Sequence, residues 1–200
     1  MIKIGITGGI GSGKSVVAEL LQVMNVPVYN ADEASKNILK NDDFIRNKLR
    51  NLLGDTIFFP NGELNRSQMA SLIFNDPGLL SQTNAIIHPA VFDDFERWSQ
   101  QQSSNIVGCE SAIIFESGFN RRLDYVIMVS APEEIRIARA AARDHAGKEQ
   151  IIKRMKNQMP DDEKARLADF IVINDGRQAI IPQVRKLFQG KCNVFTSLCV

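Results

Sequence analysis

Cysteine is scarce in this sequence: Cys109, Cys192 and Cys199 are the only three, an odd number with no CxxC spacing. Neither a disulfide framework nor a zinc site is therefore expected, and a reducing compartment is the simpler reading. Histidine is limited to His88 and His145, and neither has the company a metal site needs. No apolar run approaches the roughly 18 residues of a membrane span. Lys3 interrupts the opening apolar stretch, which stops at glycines, so no signal peptide is read there and a cytoplasmic protein is expected. Excess charge of either sign is missing too: 24 Lys and Arg against 23 Asp and Glu leave a formal net charge of +1. Nothing global therefore argues for nucleic acid or a membrane as partner, and no obligate protein partner is evident. Internal repeats and low-complexity tracts are absent as well. What remains is an ordinary globular composition, 44% hydrophobic and 24% charged over 200 residues, which suits one domain.

The hydrophobic pattern predicts an α/β fold. Ile2-Lys3-Ile4-Gly5-Ile6 has strand composition and stops at Thr7-Gly8-Gly9. Val17, Leu20, Leu21 and Met24 then fall at i, i+3, i+4 and i+7, one stripe of an amphipathic helix, and Val26-Pro27-Val28-Tyr29 reads as a second strand. Strand, glycine-rich turn, helix and strand make a βαβ unit, and a parallel sheet follows. Residues 31–104 differ: they are polar and helical in spacing, with turn signals at Pro60-Asn61-Gly62 and Asp76-Pro77-Gly78. Leu49, Leu52 and Leu53 form one apolar face there, and Val91, Phe92, Phe95 and Trp98 another, which is expected to be core. Strand signals resume at Ile106-Val107-Gly108-Cys109 and recur at Ala112-Ile113-Ile114-Phe115, the second being either a continuation or a loop. Tyr125-Val126-Ile127-Met128-Val129 reads as a strand covered on both faces. Ser130 and Pro132 open a helix with Glu133 and Glu134 in its first turn. Phe170-Ile171-Val172-Ile173 is the last strand, Asn174-Asp175-Gly176 a turn, and a final helix runs to about Gly190 as its cap.

Chemistry is concentrated in Gly8-Gly9-Ile10-Gly11-Ser12-Gly13-Lys14-Ser15, which fits G-x-x-x-x-G-K-[ST], the phosphate-binding P-loop. Its glycines let backbone N–H groups curl around phosphate oxygens. Lys14 supplies a point charge to the β- and γ-phosphates and the Ser15 hydroxyl can coordinate magnesium. The helix that follows aims its N-terminal dipole at the same anion. A dinucleotide fingerprint fails, because neither Gly9 nor Gly11 has a glycine five positions later. A GTPase would need N-K-x-D, and Val172-Ile173-Asn174-Asp175 lacks the lysine. No strand ends in the apolar-run-then-Asp arrangement of motor ATPases. Small-molecule kinases remain, in which an acidic residue after the second strand orients the acceptor hydroxyl. Asp32 is the candidate, at the carboxyl edge of an open parallel sheet; a surface or N-cap aspartate is the other reading. Arg136, Arg139 and Arg143 share a helix face, either as a solvated stripe or as lid arginines that neutralise the transferring phosphoryl group, with Lys153 and Arg154 extending the lid. His88, before Pro89, reads by itself as a helix-start or buried hydrogen-bonding residue.

With these residues in view, the chain resembles the dephospho-coenzyme A kinase family over nearly its whole length. Residues 6–15 match that family's opening almost letter for letter, with Val16 where Thr is usual. Val28-Tyr29-Asn30-Ala31-Asp32 resembles its D-A-D segment, with Asn30 replacing the first carboxylate. Asn61-Gly62-Glu63-Leu64-Asn65-Arg66 is similar to D-G-x-L-x-R, Ile87-His88-Pro89 to H-P, and Ile113-Ile114-Phe115-Glu116 to P-L-L-F-E, although Ala112 replaces the proline. Pro132-Glu133-Glu134, Arg139, Arg143-Asp144, Arg154 and Gln158 follow the lid pattern, and residues 168–176 the closing A-D-x-x-I-x-N-x-G.

The resemblance implies a P-loop kinase fold: a nucleotide core of about residues 1–30 and 105–200, a helical acceptor-binding insert of about 31–104, and a lid of about 136–160. It implies transfer of a phosphoryl group from ATP, with Mg²⁺ and no tightly bound organic cofactor, to the ribose 3′-hydroxyl of dephospho-coenzyme A. Carried over, Asp32, Lys14 and Arg139 are catalytic. Gly9, Ile10, Gly11, Ser12, Gly13, Lys14, Ser15, Val16 and Arg143 bind nucleotide, and Ser15 holds the metal. Asp32, Arg66, His88 and Glu116 meet the acceptor. The alternatives are a P-loop kinase of another small metabolite or nucleotide, or a nucleotide-sensing module that turns nothing over.

Overall fold

The computed structural model describes residues 1–74 and 76–189. The expected cap at Gly190, Cys192, Cys199 and the rest of the tail lie outside the described residues. In chain order the elements are β1 (Ile2–Thr7), α1 (Lys14–Val23), β2 (Val28–Asn30), α2 (Ala31–Asn41), α3 (Asp43–Leu53), α4 (Arg66–Phe74) and α5 (Pro77–Gln100). They continue with β3 (Ile106–Glu110), β4 (Tyr125–Ser130), α6 (Glu133–Asp144), α7 (Lys148–Met155), α8 (Asp161–Leu167), β5 (Phe170–Ile173) and α9 (Ile180–Gln189). The strands form one sheet in the order β2-β3-β1-β4-β5. Its β1–β3, β1–β4 and β4–β5 ladders are parallel, as βαβ connections require. The chain divides into two compact units, one made of residues 1–28 with the chain from 103 onward, the other of Tyr29–Gln102. Among the described residues no helix is long and apolar enough to cross a membrane.

In the first unit the stripe on α1 does what its spacing requires. Val17 and Leu21 are fully buried and Leu20 and Met24 partly, against Ile4 and Ile6 of β1, Ile106 of β3, Val172 of β5, and Val184 and Phe188 of α9. Each such aliphatic side chain contributes about 1.5–3 kcal/mol by leaving water. On the opposite sheet face, Gly5 leaves the space that Ile114 and Leu123 fill. This accounts for residues 112–115, which form turns and not a strand. The chain leaves the sheet after Glu110, and turn bonds from Ser117 N–H to the Ile113 carbonyl (2.9 Å) and from Gly118 N–H to Phe115 (3.0 Å) deliver Ile114 into the core.

The second unit is helical. Val91 and Phe95 of α5 pack with Leu39 of α2 and with Ile45, Leu49 and Leu53 of α3 as buried core. Tyr29 stands edge-on to Phe95 at 5.4 Å and donates its hydroxyl to Asp94 at 2.7 Å, so the aromatic stripe is packing. Asp76-Pro77-Gly78 begins α5 where a turn was expected. The Asp76 carboxylate accepts the Gly78 and Leu79 N–H groups at 2.8 and 3.0 Å, and Pro77 occupies the first helical position, where its missing donor costs nothing. Pro60-Asn61-Gly62 is the turn its composition indicated, closed by Gly62 N–H to the Phe59 carbonyl at 2.8 Å. Arg46 ties this unit together: it donates to the Leu39 and Lys40 carbonyls that end α2, and to Gly62 in the turn, while lying over the Phe58 ring at 4.8 Å.

Candidate active site

The loop between β1 and α1 is shaped by positions at which a side chain cannot stand. Gly11 has φ 76° and faces the Arg136 carbonyl, while Gly13 has φ 95° and abuts the Asn174 amide; a Cβ at either would collide with its neighbour. Ser12 N–H closes the turn on the Gly9 carbonyl at 3.1 Å. The Val16 and Val17 N–H groups turn back to the Gly13 carbonyl, at 3.1 and 3.4 Å. The amides of Gly11, Gly13 and Ser15 have no acceptor among the described residues, and neither do the buried hydroxyls of Thr7 and Ser12 have a partner. This is a ring of donors at a helix N-terminus, the arrangement that receives an anion. Lys14 is half-buried at the head of α1, with Ser15 and Val16 exposed beside it.

Residues far along the chain hold this loop in place. Arg136 of α6 is buried, pairs with Asp161 and donates its Nε to the Ile10 carbonyl at 3.1 Å. Gln158 accepts the Ile10 N–H at 3.0 Å, so both polar groups of that residue are engaged. Asn174, just after β5, donates to the Ser12 carbonyl at 2.8 Å, while Arg139 donates to the Asn174 carbonyl (3.1 Å) and side-chain oxygen (3.3 Å). The three arginines of α6 therefore do not act alike. Arg136 lies under the loop, Arg139 braces it through Asn174, and Arg143 is exposed at the helix end. A uniformly solvated stripe is not what forms.

Glu116 is fixed from two directions. Its Oε1 accepts the Met159 N–H at 2.9 Å and pairs with Lys164 at 2.8 Å. Lys164 is fully buried and also donates to the Ala112 carbonyl at 2.6 Å. Removing one partner of a buried pair leaves an uncompensated charge. Glu116→Ala is accordingly expected to lower the urea-unfolding free energy by about 3–5 kcal/mol. An unchanged unfolding midpoint would show that the pair does not support the fold.

Beside this pair, the segment after α7 and the start of α8 border a cleft of about 580 Å³ lined by Glu133, Arg136, Gln158 and Asp161 among others. Sequence reasoning placed Arg136 among the candidate lid arginines and not as a brace buried under the loop, and it did not single out Asn174 or Lys164 as parts of the site. It also missed Glu110, the acid that closes β3 in register with Ile6, at the loop end of β1. The available signal was the apolar run Ile106-Val107-Gly108-Cys109 ending in a carboxylate, glutamate where aspartate was sought.

The remaining candidates belong to the second unit. Asp32 is exposed in the first turn of α2. The N-cap is Asn30, whose side chain accepts the Glu33 N–H at 2.9 Å, so capping is not the work of Asp32. Asn30 caps as well as an aspartate would, which gives the departure from D-A-D a structural role. Arg66 is exposed at the start of α4 and lines a cleft of about 490 Å³ with Lys40, Arg46 and Glu63. His88 lies inside α5 and not at a helix start, 6.2 Å from the Phe92 ring, and burial pushes its imidazole pKa below the ordinary value.

Comparison with known proteins is consistent across sequence and structure. A family model described as dephospho-CoA kinase matches residues 2–179. The dephospho-CoA kinase of Bacteroides fragilis is 50% identical over 187 residues, covering 93% of this chain and 91% of that protein. The crystal structure of a Thermus thermophilus protein superimposes with a TM-score of 0.83 at 32% identity, covering 93% of this chain and 95% of that one. A dephospho-CoA kinase structure from Campylobacter jejuni has the same fold, with a TM-score of 0.66 at 22% identity over 94% of this chain and 95% of that one.

Proposed function

Because this chain belongs to the dephospho-CoA kinase family, we propose that it transfers the γ-phosphoryl group of Mg-ATP to the ribose 3′-hydroxyl of dephospho-coenzyme A. It is a phosphotransferase with an alcohol acceptor, and its products are ADP and coenzyme A. The observation that carries the reading is the ring of donors at the head of α1, in which the Gly11, Gly13 and Ser15 amides, beside Lys14, have no acceptor among the described residues.

In the proposed reaction these amides and Lys14 hold the β- and γ-phosphates, while Arg139 and Arg143 neutralise charge that spreads over the departing oxygens. The acceptor 3′-oxygen bonds to the γ-phosphorus as the bond from that phosphorus to the bridging oxygen breaks. The hydroxyl proton passes to the Asp32 carboxylate, and the electron pair leaves with ADP. Since phosphoryl transfer runs through a loose transition state, Asp32 acts first by orienting the hydroxyl and second by accepting its proton. Magnesium enters as part of the substrate: the Ser15 hydroxyl would be one hard oxygen donor for it and the Glu110 carboxylate is the nearest acid in register with the end of β1, and Mg²⁺ commonly keeps several waters. Arg66, His88 and Glu116 serve the acceptor. We read α6 and α7 as the lid, the helices of the second unit as the acceptor-binding insert, and the cytoplasm as the compartment, in keeping with Cys109, a buried cysteine that joins no disulfide among the described residues.

The test is magnesium-dependent ADP formation from ATP with dephospho-coenzyme A, AMP or shikimate as acceptor. ADP formation that requires dephospho-coenzyme A is expected. Equal rates with AMP or shikimate would overturn the choice of acceptor, and ADP formation with none of the three would overturn the kinase reading.

A further inference from the structure

One carboxylate in the first unit gathers two arginines from different helices. Asp144 is the last residue of α6 and Arg154 lies in the last turn of α7. Arg143 donates its Nε to Asp144 Oδ1 at 2.7 Å and an Nη2 hydrogen to Oδ2 at 3.2 Å. Arg154 donates its Nη1 to the same Oδ2 at 2.6 Å. The turn between the helices is set by His145 in the left-handed region, φ 49°, with Gly147 preceding α7. Hydrogen bonds from Arg143 and then Arg154 hold the Asp144 carboxyl well below the usual carboxylate range.

Two guanidinium ions drawn to one oxygen repel each other, and without an anion between them nothing holds them together. An ion pair of exposed side chains adds little to stability. Arg143 and Arg154 are 61% and 50% exposed, so a purely stabilising role for this cluster is weakly supported by its energetics. Its geometry has another consequence. Arg143 Nη1 and Arg154 Nη2 have no acceptor among the described residues, so the assembled pair presents donors outward. Its base on α6 is tied to the phosphate loop. Arg143 follows Arg139 by one turn of α6, and Arg139 is joined through Asn174 to the Ser12 carbonyl of the phosphate loop. The charge of Glu110, at the loop end of β3, also acts on Arg143.

The geometry points to Asp144 as a positioning residue that assembles Arg143 and Arg154 into one binding pair for the polyphosphate of the nucleotide. Arg154 thereby becomes a further phosphate ligand beside Arg139 and Arg143. The inference rests on the proposed phosphoryl transfer only for its effect on turnover; its effect on nucleotide affinity stands apart from the acceptor. A polyphosphate carries more charge than one carboxylate, so it can draw the outward donors while Asp144 keeps the two side chains in register. Misplacing a phosphate ligand by about 1 Å is enough to cost on the order of 10²-fold in rate.

The test compares wild type with Asp144→Asn, Asp144→Glu, Arg154→Ala and the double variant Asp144→Asn/Arg154→Ala. Calorimetry reads ATP affinity without acceptor, steady-state kinetics read kcat and both KM values, and thermal unfolding reads the fold. The expected result for Asp144→Asn is weaker ATP binding by about 10-fold and a fall in kcat/KM for ATP of roughly 10–10²-fold, with the KM for dephospho-coenzyme A and the Tm unchanged. Asp144→Glu should recover most of the loss, and the double variant should be no worse than the poorer single variant, since both act through one pair. ATP binding by Asp144→Asn as tight as wild type, or tighter, overturns the proposal, as does a fall in Tm that accounts for the loss. Wild-type protein that binds ATP yet makes no ADP with dephospho-coenzyme A overturns the proposed acceptor instead, and the calorimetric arm still decides the role of Asp144.

Discussion

Asp32→Asn should lower kcat by about 10²–10⁴-fold, the range a positioned proton acceptor commonly supplies. The substitution keeps the shape of the side chain and removes only its charge and basicity. Asp32 is exposed in the first turn of α2, and the capping bond of that turn belongs to Asn30, so α2 has no reason to unravel. The nucleotide ligands of the account lie in the first unit and Asp32 in the second, which makes ATP affinity and turnover separable. Calorimetric ATP binding within a factor of about two of wild type is expected beside the collapsed kcat. Turnover close to wild type would remove Asp32 from the mechanism. Equal loss of ATP affinity and turnover would move its role to the nucleotide.

Lys14→Ala has the second large effect, and it should not separate the two quantities. Lys14 is the only lysine in the loop motif, at the head of α1 beside the Gly11, Gly13 and Ser15 amides, which have no acceptor among the described residues. A point charge there is felt by phosphate in the bound state and more strongly as charge develops on the departing oxygens. Removing one such preorganised group typically costs 10²–10³-fold in rate, and a full charge belongs at or above the upper end. A rise in KM for ATP and a fall in kcat are both expected. The packing of α1 depends on Val17, Ala18 and Leu21, so the unfolding midpoint should stay near that of wild type. Kinetics of Lys14→Ala indistinguishable from wild type would mean that phosphate is not bound at this loop.

What the sequence made legible was local. The glycine spacing of residues 8–15, the stripe on α1 and the apolar runs that become β1, β3, β4 and β5 each depend on neighbours a few positions away, and each formed where the pattern put it. The errors have the same origin. Asp76-Pro77-Gly78 contains the residues of a turn, but aspartate before proline is equally a helix start, and only the helix that follows decides between them. Residues 112–115 form an unbroken apolar run as a buried strand would, yet only Ile114 is fully buried, and its burial comes from the space beside Gly5, more than a hundred positions earlier. The braces of the phosphate loop were illegible for that reason. Arg136 meets Ile10 across 126 positions and Asn174 meets Ser12 across 162, and no periodicity records contacts of that range. A lysine as buried as Lys164 runs against composition rules altogether, and its pairing with Glu116 and its bond to the Ala112 carbonyl explain it.

The most direct test of the account is the chemical identity of the product. The protein, Mg-ATP and dephospho-coenzyme A would be incubated and the phosphorus spectrum of the acceptor followed alongside ADP. The account predicts one new phosphomonoester, on the ribose 3′-oxygen, formed in step with ADP and indistinguishable from coenzyme A. ADP accumulating while the acceptor stays unphosphorylated, or a phosphoryl group appearing at another position, would contradict it.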